Sequence, residues 1–344
     1  LTETLSRRHV EIGLVPLGAI GMTLFAGDLY FASRGLPDVP AQTVSAFLAN
    51  PAHWRVLFDL FMLSASAGLY SVPMYALIQL RAPASHRARI IAANNILNAI
   101  FMIASSVIVG ALLSAGLTIP QVFGLTALAN ALVAAYIFLL VPEYLLRFIA
   151  FLASRIVYRF KVRGEEHIPT EGPAIIACNH VSYVDAVLLM AASPRPIRFV
   201  MDHRIFATPV LGWLFRLGKA IPVAPQKQDP AAYAAAFEAA DRVLAEGDLL
   251  GIFPEGAITR DGELQPFKGG IMKILERRPV PVVPVALQNL WGSYFSRIER
   301  GTAMVRPFRR GLFARVGLVA GAALPAAQVS PDGLHGRVRE LLEA

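Results

Sequence analysis

Cysteine is nearly missing from these 344 residues: Cys178 stands alone. A single thiol rules out an intrachain disulfide framework and a cysteine-based metal site within one chain. Charge is scarce in the first part. The chain holds 32 Lys and Arg and 24 Asp and Glu; residues 1–141 carry only 7 and 5 of them, against 25 and 19 in residues 142–344. A glycine-rich dinucleotide fingerprint and a Walker sequence are also absent, so nucleotide cradles of those kinds are not expected. The N-terminus lacks a short basic-then-apolar stretch ending in small residues, the pattern of a cleavable signal peptide. It opens on Leu1 rather than Met, as a piece of a longer product would.

What fills residues 1–141 is apolar sequence. Ile12 to Gly27 is uncharged between Glu11 and Asp28, slightly short of the ~20 residues that cross a bilayer. Leu60 to Leu80 is a full span. From Ile90 to Pro142 no residue is charged, enough for two spans with a turn at Gly116-Leu117-Thr118-Ile119-Pro120. The sequence therefore predicts four transmembrane helices over residues 1–141.

Short flanks set their orientation. Arg7, Arg8 and His9 precede the first span, and Arg81, His86, Arg87 and Arg89 lie between the second and third. The loop from Asp28 to Trp54 offers Arg34 against Asp28 and Asp38. Lys and Arg favour the cytoplasmic side, which places residues 1–9, 81–89 and everything after 142 there. The net charge of +8 suits an anionic membrane face better than nucleic acid, because the basic excess is thin and sits beside long apolar runs. The apolar region reads either as an anchor or as a transport path. Asn94, Asn95 and Asn98 on the third span favour the second, since polar residues inside a membrane are costly and often functional. Hydrogen bonding between neighbouring helices is the plainer account of them.

Residues 142–163 read as an amphipathic linker helix at the membrane interface. Arg147, Arg155 and Arg159 fall within ~120° on a helical wheel, with Phe148, Ile149, Phe151, Leu152 and Ile156 filling much of the rest. From Gly164 the pattern changes. Apolar runs at 174–178, 198–201, 220–224, 249–253, 280–287 and 316–320 read as strands. Helical patterns follow at about 183–192, 207–217, 230–246, 267–277 and 332–343. That alternation predicts an α/β domain over 164–344, with a mostly buried mixed sheet flanked by helices.

Two constellations at strand ends carry chemistry. The first is Asn179-His180-Val181-Ser182-Tyr183-Val184-Asp185. His and Asp five apart lie ~140° apart on one helix. They can meet if His180 sits in the loop and Asp185 in the first turn of the helix that Ser182 starts, Asp185 being its capping partner. A plain cap and a buried structural histidine are the competing accounts. The second is Phe253-Pro254-Glu255-Gly256, running on through Arg260 to Phe267-Lys268-Gly269-Gly270. Its glycines permit close backbone approach, and its cations suit a phosphate. A tight turn with solvated charges is the alternative.

In order, Asn-His-x4-Asp, Phe-Pro-Glu-Gly and Val283-Pro284-Val285-Ala286 resemble the signature of the glycerophospholipid acyltransferase family, of the 1-acylglycerol-3-phosphate acyltransferase type, over roughly 165–325. Met201 to Phe206 and Trp291 to Arg297 are most similar to the acyltransferase part of bifunctional 2-acylglycerophosphoethanolamine acyltransferase/acyl-carrier-protein synthetases. The run Arg87 to Asn98 resembles the late helices of major-facilitator-type lysophospholipid transporters, which some bacteria fuse ahead of an acyltransferase.

The resemblance implies an acyl thioester donor (acyl-carrier protein or acyl-coenzyme A), a lysophospholipid acceptor and the bacterial inner membrane, with no metal or cofactor. It implies His180 as general base, Asp185 as its orienting carboxylate, and Asn179, Glu255, Gly256, Arg260 and Lys268 around the acceptor head. An imidazole of ordinary pKa near 6.5 can take a hydroxyl proton, and a thiolate leaves readily because a thiol has a pKa of about 8.5. Two departures concern the phosphate contacts. Ala257 and Ile258 move Arg260 to the fourth place after Gly256, and the 220–225 block has Lys227 as its nearest cation where the family usually ends in Arg. No Ser/Thr/Gly-rich nucleotide loop precedes Ala344, so activation of free fatty acids is not expected of this chain.

Overall fold

The structure, a computed structural model, describes residues 14–37, 43–140, 142–293, 295, 297–298, 302–303 and 313–344. It divides into two compact units at 141/142. The basic flank at Arg7, Arg8 and His9, and also Glu11, Ile12, Asp38, Tyr294 and Ser296, lie outside the described residues.

The first unit is helical: α1 (Leu14–Arg34), a short α2 (Val44–Ala49), α3 (Trp54–Arg81), α4 (Arg87–Ser114) and α5 (Ile119–Leu140). The four long helices are long and apolar enough to cross a membrane. Gly116, with φ +93°, makes the turn between α4 and α5. Helix α1 packs against α3 and α5. Its contact with α3 depends on glycine, since a Cβ on Gly18 would lie 2.6 Å from the backbone nitrogen of Tyr70. Asn98 donates to the Tyr75 hydroxyl at 2.5 Å, and Asn130 of α5 donates to Thr23 Oγ1 of α1 at 2.7 Å. Asn98 thus makes the interhelical hydrogen bond of the plainer account. One boundary moves. Helix α1 runs on to Arg34, so Asp28 lies within it and not in the loop beyond.

The second unit begins with α6 (Pro142–Val157) and β1 (Tyr158–Arg163). Here the linker-helix reading of 142–163 is corrected. The helix ends at Val157, and Tyr158 to Arg163 alternates buried and exposed as an edge strand. The alternation of Tyr158 and Phe160 with Arg159 and Lys161 is a period of two, which a helical wheel disguises. The arginine grouping dissolves with it. Arg147 is buried and donates to the Ser193 carbonyl at 2.6 Å, while Arg159 belongs to the strand. Ile149, Phe151, Leu152, Arg155 and Ile156 remain on the exposed side of α6.

The sheet follows through β2 (Ala174–Cys178), α7 (Asp185–Ala192), β3 (Ile197–Asp202), α8 (Pro209–Leu217), β4 (Ile221–Val223), α9 (Pro230–Ala245), β5 (Leu249–Ile252), α10 (Gly270–Arg277) and β6 (Val282–Gln288). A two-residue hairpin, β7 (Arg297–Ile298) with β8 (Thr302–Ala303), leads to β9 (Ala314–Ala320) and α11 (Pro331–Glu343). All six predicted strands and all five predicted helices appear, displaced by at most a few residues. Seven strands line up as β1-β9-β6-β2-β5-β3-β4, parallel except where β6 meets β9.

Strand β2 is buried throughout, and its side chains alternate between two cores. Ile176 and Cys178 join Leu188 and Leu189 of α7 and Ala150 of α6. Ile175 and Ala177 join residues of α9, α10 and α11, among them Leu244, Ile274 and Leu334. The sheet is thus sandwiched between helical layers. Because β2 and β5 are parallel neighbours, the loops leaving their carboxyl ends emerge side by side. Open α/β sheets bind ligands at such ends.

Candidate active site

The chain turns out of β2 at Asn179, a buried residue whose amide is held at both ends by Leu287. Its Nδ2 donates to the Leu287 carbonyl at 3.1 Å, and its Oδ1 accepts from the Leu287 N–H at 2.7 Å. Asn179 prolongs the pairing of β2 with β6 and braces the turn from behind; it does not reach toward a ligand. His180 follows in the loop, with Asp185 as the first residue of α7. The condition set by the five-residue spacing is met: His180 Nδ1 and Asp185 Oδ2 are 2.7 Å apart.

That same carboxylate oxygen accepts from the N–H groups of Val181 (2.7 Å) and Ser182 (2.9 Å). The bond to Ser182 N is half of the expected capping box. The other half is missing: the helix begins at Asp185 after Val184, and Ser182 Oγ, which donates to the Phe295 carbonyl at 3.0 Å, accepts from the Val184 N–H at 3.4 Å and not from Asp185. Asp185 is fully buried, and burial pushes its carboxyl upward against the lowering effect of those donors. With Nδ1–H directed at the carboxylate, Nε2 is left as the ring's basic nitrogen. The imidazole lies on the ring of Phe253, with centroids 4.2 Å apart and planes 15° apart, and keeps 21% of its side chain exposed.

Phe253 also opens the second turn. The Gly256 N–H closes it onto the Phe253 carbonyl at 2.9 Å, and Gly256 takes φ +71°, a left-handed value that glycine adopts at little cost. Glu255 does not face outward. It is 4% exposed, with Oε1 accepting from the His180 N–H at 2.6 Å and Oε2 from the Gln265 N–H at 2.9 Å. Burial raises its carboxyl too, partly offset by these two amides. The Thr259 N–H reaches the His180 carbonyl at 2.9 Å. His180 is therefore gripped at its backbone nitrogen, its carbonyl and its ring.

Among the residues the sequence nominated, His180, Asp185 and Glu255 form one connected unit. Gly256 adjoins it, and Lys268 crosses over Gly256: a Cβ there would stand 2.6 Å from Lys268 Nζ. Arg260 and Lys268 are exposed, and neither forms an ion pair among the described residues. Sequence reasoning missed Phe253 as a ring partner, although it stands in the motif. It also missed the backbone roles of Thr259 and Gln265, for which no side-chain signal exists. Tyr158, whose hydroxyl lies 3.4 Å from Ser293 Oγ, was hidden by the helical reading of its segment. Cys178 is buried and its thiol pushed well up, chiefly by burial, which makes it a poor nucleophile. Among the described residues no cluster of three metal-ligating side chains occurs.

Residues 159–288 match the Acyltransferase family model. The chain is 35% identical over 148 residues to the 1-acyl-sn-glycerol-3-phosphate acyltransferase of Limnanthes douglasii, covering 43% of this chain and 50% of the relative. It is 30% identical over 130 residues to the enzyme of that name from Bacillus subtilis, covering 38% and 62%. The chain spans about half the length of curated relatives such as these. Among solved structures, the 1-acyl-sn-glycerophosphate (LPA) acyltransferase of Thermotoga maritima matches with a TM-score of 0.44 and 23% identity, over 58% of this chain and 78% of that one. The matched segment begins at the edge strand β1, ends at β6 and contains both motif turns. Over residues 159–288 the chain is similar to the acyltransferase family.

Proposed function

We propose that this chain transfers a fatty acyl group from a thioester donor, acyl-carrier protein or acyl-coenzyme A, to the free hydroxyl of a lysophospholipid. One observation carries the reading: His180, its Nδ1 tied to a buried carboxylate, stands at the carboxyl ends of two adjacent parallel strands with Nε2 unclaimed. Nε2 takes the acceptor hydroxyl's proton as that oxygen attacks the thioester carbonyl carbon. Asp185 holds the ring tautomer and stabilises the imidazolium. The tetrahedral intermediate collapses by breaking the C–S bond, and the departing thiolate takes the proton back from the imidazolium. No serine or cysteine nucleophile enters the scheme.

Arg260 and Lys268, the latter lying across Gly256, supply the positive surface that an acceptor phosphate requires. The four long apolar helices fit an enzyme held in the membrane that contains its acceptor, with this domain on the cytoplasmic face of a bacterial inner membrane. For the head group we favour 2-acylglycerophosphoethanolamine, on the stretches Met201 to Phe206 and Trp291 to Arg297. The names of the relatives favour a second reading, acylation of 1-acylglycerol-3-phosphate.

The test uses detergent-solubilised wild type and His180→Ala, given labelled acyl-carrier protein or acyl-coenzyme A with either lysophospholipid. Diacyl product from wild type and its loss in the variant are expected, and the productive pairing names both substrates. A folded wild type that makes no product from any pairing would sink the enzymatic reading.

A further inference from the structure

Away from the acyl-transfer site, the helical unit contains a carboxylate that nothing in that chemistry uses. Asp59, in the second turn of α3, is 1% exposed, and no donor among the described residues reaches either of its side-chain oxygens. Among the described residues, the charged groups near it are the following. From α1 comes Asp28, its carboxyl within hydrogen-bond reach of Asp59. From α3 itself comes Arg55, one helical turn earlier, which grips Asp28 with two donors, Nε to Oδ2 at 3.0 Å and Nη2 to Oδ1. Helix α5 contributes no Asp, Glu, Lys, Arg or His. His53, just before α3, is turned elsewhere, stacked on Phe47 with Nδ1 at the Phe47 carbonyl, 2.9 Å away.

Ionised, Asp59 would be a buried carboxylate without a donor, pressed against a second carboxylate. Two such groups in contact do not both ionise when one cation serves them, and Arg55 already serves Asp28. A single proton resolves the arrangement. Asp59 Oδ–H donates to an oxygen of Asp28, Asp28 stays ionised under the guanidinium, and the three side chains sum to zero charge. Ionisable groups within membrane helices that are arranged in this way mark functional sites more often than structural ones.

We propose that Asp28, Arg55 and Asp59 form a proton-binding site in the helical unit, with the proton on Asp59. Its loss requires a new partner for Asp59, and Arg55, four residues before it on the same helix face, is placed to leave Asp28 and become that partner. The ligand is the proton itself, and its occupancy sets which carboxylate the arginine holds.

Difference infrared spectroscopy of the full chain in lipid nanodiscs tests this. At neutral pH the wild type should show the carbonyl band of an un-ionised carboxylic acid. Asp59→Asn, which copies the shape of the protonated form, should remove that band while leaving elution and acyl transfer intact. Asp28→Asn should remove it as well, because Arg55 then turns to Asp59 and ionises it. Absence of an Asp59-dependent band in wild type overturns the proposal. A band that survives in Asp28→Asn also overturns it, since burial alone would then hold the proton. If Asp59→Asn fails to fold, the Asp28→Asn spectrum decides by itself.

Discussion

Replacing Glu255 with Gln separates two ways an acidic residue can serve this site. In one it touches the acceptor; in the other it holds the loop that carries His180. The geometry favours the second, since both carboxylate oxygens accept from backbone amides, one of them His180's own. Gln keeps one acceptor and turns a donor toward the other N–H. A hydrogen bond to a charged group contributes about 1.5–3 kcal/mol net, and an orphaned buried N–H costs about 1–3 kcal/mol. Removing a buried carboxylate that burial already disfavours offsets part of this. The net loss should be about 1–3 kcal/mol, a fall in Tm of roughly 5 °C for a domain of this size. Release of His180 by about 1 Å is enough to lower kcat by roughly 100-fold. Glu255→Asp keeps the charge but is too short to span both amides, so it should fail in the same way. The assay is thermal unfolding in detergent together with kcat and KM for the lysophospholipid. A Glu255→Gln enzyme with raised KM, unchanged kcat and unchanged Tm would refute the clamp, and would place Glu255 on the acceptor.

Two further outcomes follow from the same geometry. Asp185→Asn should abolish most turnover yet gain stability relative to wild type as pH rises. Burial lifts the Asp185 carboxyl above its unfolded value, so the native state binds that proton more tightly; its stabilising contribution is complete below the unfolded pKa and is lost as pH climbs through the folded one. The Tm difference, variant minus wild type, should grow as pH rises above the ordinary Asp value of about 3.9, and a difference that stays flat through that rise would contradict the assignment. Phe253→Leu removes the ring beneath His180, a contact of about 0.5–1.5 kcal/mol, and should lower kcat by about 10-fold with KM for the thioester unchanged; an unaltered kcat would show that the stack does not position the base.

How much of this was legible in the sequence depended on whether side chains or backbone carried the information. The α/β alternation was readable because β2, β5 and β6 are buried on both faces and so appear as unbroken apolar runs. His180 and Asp185 were readable through the resemblance of Asn-His-x4-Asp to the acyltransferase signature; their spacing by itself required only that they not share one continuous helix. β1 was not, since two arginines, a lysine and two aromatics in a row satisfy a helical wheel as easily as an alternating strand, and only pairing with β9, some 150 residues away, decides between them. Asn179 and Glu255 were expected around the acceptor head, whereas their side chains turn inward to backbone partners that were not foreseeable. Leu287 and Gln265 contribute backbone amides, which no residue type advertises.

Those backbone partners also account for the departure that first cast doubt on the phosphate contacts. With Ala257 and Ile258 in place, the residue three beyond Gly256 is Thr259, buried, with its N–H on the His180 carbonyl. Its hydroxyl donates to Asp261 at 2.7 Å and accepts from the Gly262 N–H at 3.1 Å, closing a turn around Arg260. Arg260 is thus carried at an exposed tip, anchored on both sides by the loop that grips the base. The acidic groups of the site, Asp185 and Glu255, point inward and answer to N–H groups and the imidazole. The basic ones, Arg260 and Lys268, point outward and answer to no carboxylate among the described residues. A site so divided sets two exposed cations at its mouth, beside the exposed Asp261 and Glu263, while keeping its base oriented from behind. The shift of Arg260 by two positions therefore alters where a phosphate would rest, and leaves the machinery that holds His180 unchanged.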